Sequence, residues 1–266
     1  MVSSRLRTKK VNRKKTLNRK GSKKMTKTQK PKLIIHQIYG LFRDGKPLSD
    51  FKLFTDSKKA WKSLAKKNNY KYKLWNDKMC TDLINKYPEF KTMYNNVKYP
   101  VMRADIIRFL ILYEYGGLYV DMDVLPLKKS YSFDRLAFCK YYYAPKKPKT
   151  QTDMEIIYSP KKNDVMYNFL LYVKEQIKEK DKINIYEDWK VRYIFQTTGP
   201  RSLMEFLKIH KVEYDEIKSN VSKIDDLRIF KGVDYDVISY FSMSYNPHRY
   251  LKHQNYLRGK NKNKKK

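Results

Sequence analysis

The chain has 266 residues, 60 of them Lys or Arg against 27 Asp or Glu, for a formal net charge of +33. Hydrophobic residues make up 41%, enough for a core, so whole-chain disorder is excluded and one large domain, or a domain with a subdomain, is expected. Two cysteines, Cys80 and Cys139, are too few for a disulfide framework and lack zinc spacing, so both read as buried free thiols.

In chain order, residues 1–30 come first. They carry thirteen basic residues and no acid, and residues 258–266, "RGKNKNKKK", add six more. These ends read as solvated tails able to bind polyanions weakly, because like charges at this density repel and cannot pack. The N-terminus lacks the apolar centre of a signal peptide. "KLIIHQIYG" reads as a buried first strand between Pro31 and Gly40. "DSKKAWKSLAKKN" has helical spacing with Asp56 or Ser57 as cap, and "YKYKLW" alternates as a second strand. "DKMCTDLINKY" reads as a helix stopped near Pro88. This alternation argues for an α/β sheet with crossovers.

Pro100 then opens a helix to Tyr115, closed by Gly116 and Gly117. Its apolar run is interrupted by Arg108 and falls far short of the roughly 20 residues that span a bilayer. "LYVDMDV" reads as the next strand, "LAFCKYYY" as another, and "KKPKTQTD" as loop. "NDVMYNFLLYVKEQIKEK" is an amphipathic helix, "TTGP" a turn and "PRSLMEFLKIH" a helix starting on proline. Nothing firm is read beyond Val212.

The stretch "RADIIRFLILYEYGGLYVDMDVLPL" gathers Arg103, Asp105, Arg108, Asp121 and Asp123 around one apolar element. Asp105 and Arg108, three apart, share a helix face, either as an intrahelical ion pair or as ligand-facing groups. If the strand continues through "DMD", Asp121 and Asp123 project to one side. Two carboxylates held together repel, and a hard divalent cation such as Mg²⁺ or Mn²⁺ relieves that repulsion while keeping positions for phosphate and water. The carboxyl end of a strand in an open α/β sheet is also where ligands sit.

"ADIIRFLILYEYGGLYVDMDV" resembles the central motif of the D-x-D glycosyltransferases with a sugar-binding region, the glycosyltransferase family 32 type. "PKLIIHQIY", "YKYKLWND" and "TTGP" resemble its first strand, second strand and later turn, so the likeness covers roughly residues 31–200. It implies a GT-A type, Rossmann-like α/β nucleotide-sugar-binding domain over residues 31–257. It implies transfer of a hexose from a UDP- or GDP-sugar to an acceptor hydroxyl on a glycan or protein, with Mn²⁺ or Mg²⁺ and retention at the anomeric carbon. Asp123 would hold the metal directly, and Asp121 the ribose or the metal through water. Asp105 and Arg108 would meet the donor sugar and phosphate, and Tyr119 would line the nucleotide site. Ile35, His36 and Gln37 would lie under base and ribose, and Trp75 either near the base or in the core. The family's C-terminal histidine followed by Ser-Trp is altered here: His253 lacks that pair, and His248 is its rival as metal ligand.

Two other readings stand beside this one: a transferase homologue that binds donor without turnover, and a basic nucleic-acid-binding protein using its charge and 24 tyrosines. The Lys, Asn, Ile and Tyr bias suggests an AT-rich genome, and large DNA viruses carry enzymes resembling this one. A soluble protein, cytoplasmic or virus-associated, is therefore expected.

Overall fold

The computed structural model describes residues 33–42, 45, 47–143, 149–181, 190–222 and 236–240. Both basic ends, His248 and His253 lie outside the described residues. The strands are β1 (Ile34–Ile38), β2 (Lys71–Trp75), β3 (Gly117–Val120), β4 (Val124–Pro126), β5 (Ala137–Tyr143), β6 (Lys149–Ser159), β7 (Asp215–Ser222) and β8 (Val237–Tyr240). The helices are α1 (Lys52–Lys67), α2 (Asp77–Ile84), α3 (Pro88–Asn96), α4 (Pro100–Tyr115), α5 (Asp164–Asp181), α6 (Lys190–Thr197) and α7 (Pro200–Ile209). The fold is α/β, with one mixed sheet in the order β2-β1-β3-β6-β5-β7-β8-β4. β1 lies parallel to both β2 and β3, and β6 runs antiparallel to β3 and β5.

The period-two alternation of the strands sorts side chains to two cores. Ile35, Leu118 and Val120 pack with Trp61 and Leu64 of α1 on one face. Ile38, Trp75, Tyr119 and Ile157 pack with α2 to α5 and α7 on the other. From Asp105 to Leu112 every residue of α4 is buried, so the helix is covered all round, and its two charged residues must find partners inside.

Several elements differ from the sequence expectations. α1 begins at Lys52, a turn before Asp56, and no side chain caps it. Asp56 instead pairs with Lys52 at 2.5 Å, and the Ser57 hydroxyl donates to Val124 O at 2.7 Å, so neither residue serves the cap. Pro88 opens a further helix, α3, because its missing N–H costs nothing at a first helical position. The last five residues of "KKPKTQTD" belong to β6, whose polar Thr152 and Asp153 are buried.

Two glycines bring α4 back onto the sheet. Gly116 (φ +65°) ends the helix, its N–H donating to Leu112 O at 2.8 Å. At Gly117 (φ +106°) a Cβ would lie 2.4 Å from Ile34 O, so β3 reaches β1 only without a side chain there. Both cysteines are buried and free. Among the described residues no helix is long and apolar enough to cross a membrane.

Candidate active site

β3 ends at Val120, and residues 121–123 form a turn closed by Val124 N donating to Asp121 O at 3.3 Å. The two aspartates are thus set by a turn at the carboxyl end of β3, not by alternation along a strand as the sequence suggested. The physical reason is the network that fixes this turn. The Asp121 N–H donates to Glu155 O of β6 at 2.7 Å, and Asp121 O accepts from Gln37 Nε2 of β1 at 3.3 Å. Val124 O accepts from both Ser57 Oγ and Trp61 Nε1 of α1.

The Asp121 carboxylate is gripped from below. Its Oδ1 accepts from the Tyr119 hydroxyl at 2.5 Å, and its Oδ2 accepts from Arg108 Nη1 at 3.2 Å. Arg108 also donates to Asp105 Oδ1 at 3.0 Å, Met154 O at 2.7 Å and Ala104 O at 3.2 Å, and lies 4.8 Å from the centre of the Tyr119 ring. Asp105 in turn accepts from Thr198 Oγ1 at 2.8 Å, which ties the "TTGP" turn to α4. Arg108 is 4% exposed and Asp105 6%, whereas the Asp121 side chain is 30% exposed. The buried members therefore form a foundation, and Asp121 is its face to solvent.

Electrostatics follow the same division. Burial works against the Arg108 charge, but Asp121, Tyr119, Asp105 and Asp153 outweigh it and hold its pKa above the ordinary range. Burial pushes Asp105 up to about 6, against the pull of Arg108 and the Thr198 hydroxyl. Burial raises the Tyr119 phenol well above its usual value, so it stays a hydrogen donor to Asp121. Asp153, buried on β6, is also raised, by desolvation first and then by Asp121 and Asp105, with the Met154 N–H and Arg108 opposing.

Asp153 was missed in the sequence, and so was its neighbour Glu155, which accepts from Cys139 and Ser219. Acids at alternate positions of the apolar run "DMEIIYS" were the available signal.

The residues expected under the base are divided by the strand. Ile35 is core against α1. His36 is fully buried on the other face, its Nε2 bonded to Gly116 O at 2.9 Å and its Nδ1 accepting from Trp75 Nε1 at 3.1 Å. Trp75 is core, beneath the Lys73 ammonium. Gln37 alone of the three reaches the turn, while its Oε1 accepts from the Tyr72 hydroxyl. The histidines expected as further ligands, His253 and His248, lie outside the described residues.

As a cation site, the turn offers two carboxylates, and among the described residues no group of three ligating side chains occurs. Each Asp121 oxygen already accepts one hydrogen bond. The two carboxylates therefore suit a hard cation that keeps substrate and water oxygens.

Residues 54–138, which include this turn, match the family described as "Glycosyltransferase sugar-binding region containing DXD motif". A stretch of 56 residues is 50% identical to mannosyl phosphorylinositol ceramide synthase SUR1 of Saccharomyces cerevisiae, covering 21% of this chain and 15% of that protein. Mannosyl phosphorylinositol ceramide synthase CSH1 of the same yeast is 30% identical over 187 residues, 66% of this chain and 43% of that one. The chain thus spans less than half the length of either relative. A solved structure, PaToxG glycosyltransferase, superposes with a TM-score of 0.47 at 19% identity, covering 67% of this chain and 69% of that one.

Proposed function

We propose that this chain, which carries a DXD-type sugar-binding region at residues 54–138, is a GT-A type glycosyltransferase that moves a hexose from a nucleoside diphosphate sugar to an acceptor hydroxyl. One observation carries the reading: Asp121 is held in a single orientation at the carboxyl end of β3, by Tyr119 and Arg108, within the matched region. β1 and β3 are parallel neighbours, and from β1 the chain crosses outward to β2 before returning to β3. Their carboxyl ends therefore border a crevice where the strand order reverses, the place where α/β sheets take ligands.

In this reading the acceptor oxygen bonds to the anomeric carbon as that carbon's bond to the diphosphate oxygen breaks. The electron pair leaves with the diphosphate, and the hydroxyl proton passes to the departing oxygen on the same face, which gives retention. A bound Mg²⁺ or Mn²⁺ supplies charge neutralisation at the diphosphate. Asp123 would hold it, with Asp121 reaching it through water or holding the ribose. Arg108 and Tyr119 fix the Asp121 carboxylate so that no reorientation is needed as charge develops. Asp105 and Thr198 hold Arg108 in turn.

The test is nucleotide release from a panel of UDP- and GDP-hexoses with Mn²⁺ or Mg²⁺, beside the double variant Asp121→Asn, Asp123→Asn. Release by the parent protein and its loss in a folded variant is the expected result and names the donor. Binding with no release points to a donor-binding homologue, and no binding to any donor refutes the reading.

A further inference from the structure

The foundation just described commits its own arginine to carboxylates rather than to a departing diphosphate. Arg108 is occupied: four of its five N–H donors go to Ala104 O, Asp121, Met154 O and Asp105, and two carboxylates offset its charge. A second arginine stands on the same helix. Arg103 lies in the first turns of α4, five residues before Arg108, so helical rise puts it about 7.5 Å further toward the carboxyl ends of β1 and β3. Its only hydrogen bond among the described residues is a long one, Nη1 to Leu41 O at 3.5 Å, in the loop that follows β1. Its Nε is buried with no hydrogen-bond partner among the described residues. No carboxylate is paired with it among the described ion pairs, in contrast to Arg108.

A buried N–H with no acceptor costs about 1–3 kcal/mol, so an acceptor arriving at Arg103 would recover that cost. Here the group belongs to a guanidinium whose fork matches phosphate oxygens two at a time. On α4, Arg103 is turned roughly 140° from Arg108, toward Ile107 and Leu110, which share a core cluster with Leu41 and Ile38 of the β1 side. Arg108 faces β6 and Asp121. The two arginines therefore point to different sides of α4, one held by carboxylates and one with no carboxylate partner among the described residues.

We propose that Arg103 is the residue that binds the diphosphate of the nucleotide, its Nε and Nη donors taking phosphate oxygens, while Arg108 acts only by positioning Asp121. The inference rests on the donor reading above and adds a contact that this reading does not require. Arg103 touches the leaving group; its charge holds the electron pair that arrives there when the anomeric bond breaks.

The test is calorimetric binding of UDP, UMP and uridine, and of GDP, GMP and guanosine, in Mg²⁺ buffer. The proteins compared are the parent, Arg103→Gln and Arg103→Lys, each checked by thermal melting. The Gln variant is expected to lose about 10- to 100-fold in nucleoside diphosphate affinity, while nucleoside affinity stays within a factor of two or so. The Lys variant, which keeps charge but not the fork, is expected to fall between. If the diphosphate-to-nucleoside ratio is unchanged in both variants, Arg103 does not bind the diphosphate and the inference is overturned. An equal loss for nucleoside and diphosphate, with a lowered melting temperature, assigns Arg103 a structural role and also overturns it. Failure of the parent to bind either diphosphate sinks the donor reading itself, a distinguishable outcome.

Discussion

Trp75 donates its indole N–H to Nδ1 of His36, which leaves the ring proton on Nε2, where it is donated to Gly116 O. Burial lowers the His36 pKa to about 4; the Gly116 contact opposes this and the nearby Lys73 adds to it. Adding a proton would set an N–H on Nδ1 against the Trp75 N–H. The sign follows from linkage. In the unfolded chain the imidazole titrates near its ordinary value of 6.5, so between there and about 4 the unfolded state holds more protons. The stabilisation is complete above pH 6.5 and is lost as pH falls toward 4, a loss of about 3 kcal/mol. Urea midpoints followed by tryptophan fluorescence across this window should fall steeply in the parent and more shallowly in His36→Gln. Equal slopes would count against the assignment. This residue is a lesson in reading sequence: "IHQIY" looked like a ligand-facing run, yet strand alternation turns His36 into the α4 core and leaves Gln37 to touch the turn.

At the level of elements, the contact between β3 and β1 depends on Gly117. Replacing it by Ala puts a methyl against the Ile34 carbonyl and forces a side chain into positive φ. A destabilisation of about 2–4 kcal/mol is expected from backbone strain and displacement of β3. Chemical denaturation of Gly117→Ala measures it, and a loss under about 1 kcal/mol would mean that the strands separate at little cost. The elements that sequence revealed were those with one dominant signal. α4 has Pro100 at its start and Gly116 at its end, and β1 is an apolar run. What sequence hid was set by pairing at a distance. β6 carries Thr152, Asp153 and Glu155 inward, and the first two read as loop until Met154 O is seen accepting from Arg108. Ser57 read as a helix cap because its bond to Val124 O, 67 positions away, leaves no local trace. The D-x-D itself was plain, but its turn was not, since "LYVDMDV" has strand composition throughout and only Gln37, Glu155 and α1 bend it.

For the whole molecule, charge and catalysis belong to different parts of the chain. Residues 1–30 and 258–266 hold a large share of the +33 excess, and none of the residues in the Asp121 network lies in them. Deleting both segments should leave donor hydrolysis within about two-fold. Binding to heparin or duplex DNA should weaken and depend less steeply on salt, since each lost phosphate contact removes about 0.9 from the slope of log affinity on log salt. A truncated protein that kept the parent's salt slope would place polyanion binding on the folded part. The sheet order has a consequence of another kind. Only Asp121, Met122 and Asp123 separate β3 from β4, yet the two strands stand at the third and last places of the sheet. β4 is paired to β8, with Leu127 N and the Tyr131 hydroxyl both donating to Asp236 O. During synthesis the aspartates leave the ribosome well before β8, the strand that anchors the far side of their turn. A nascent chain stopped short of residue 236 holds every residue of the Asp121 network while the next strand has nothing to pair with, and pairings this distant in sequence form late. The turn that carries both aspartates is thereby made contingent on the chain being built through β8.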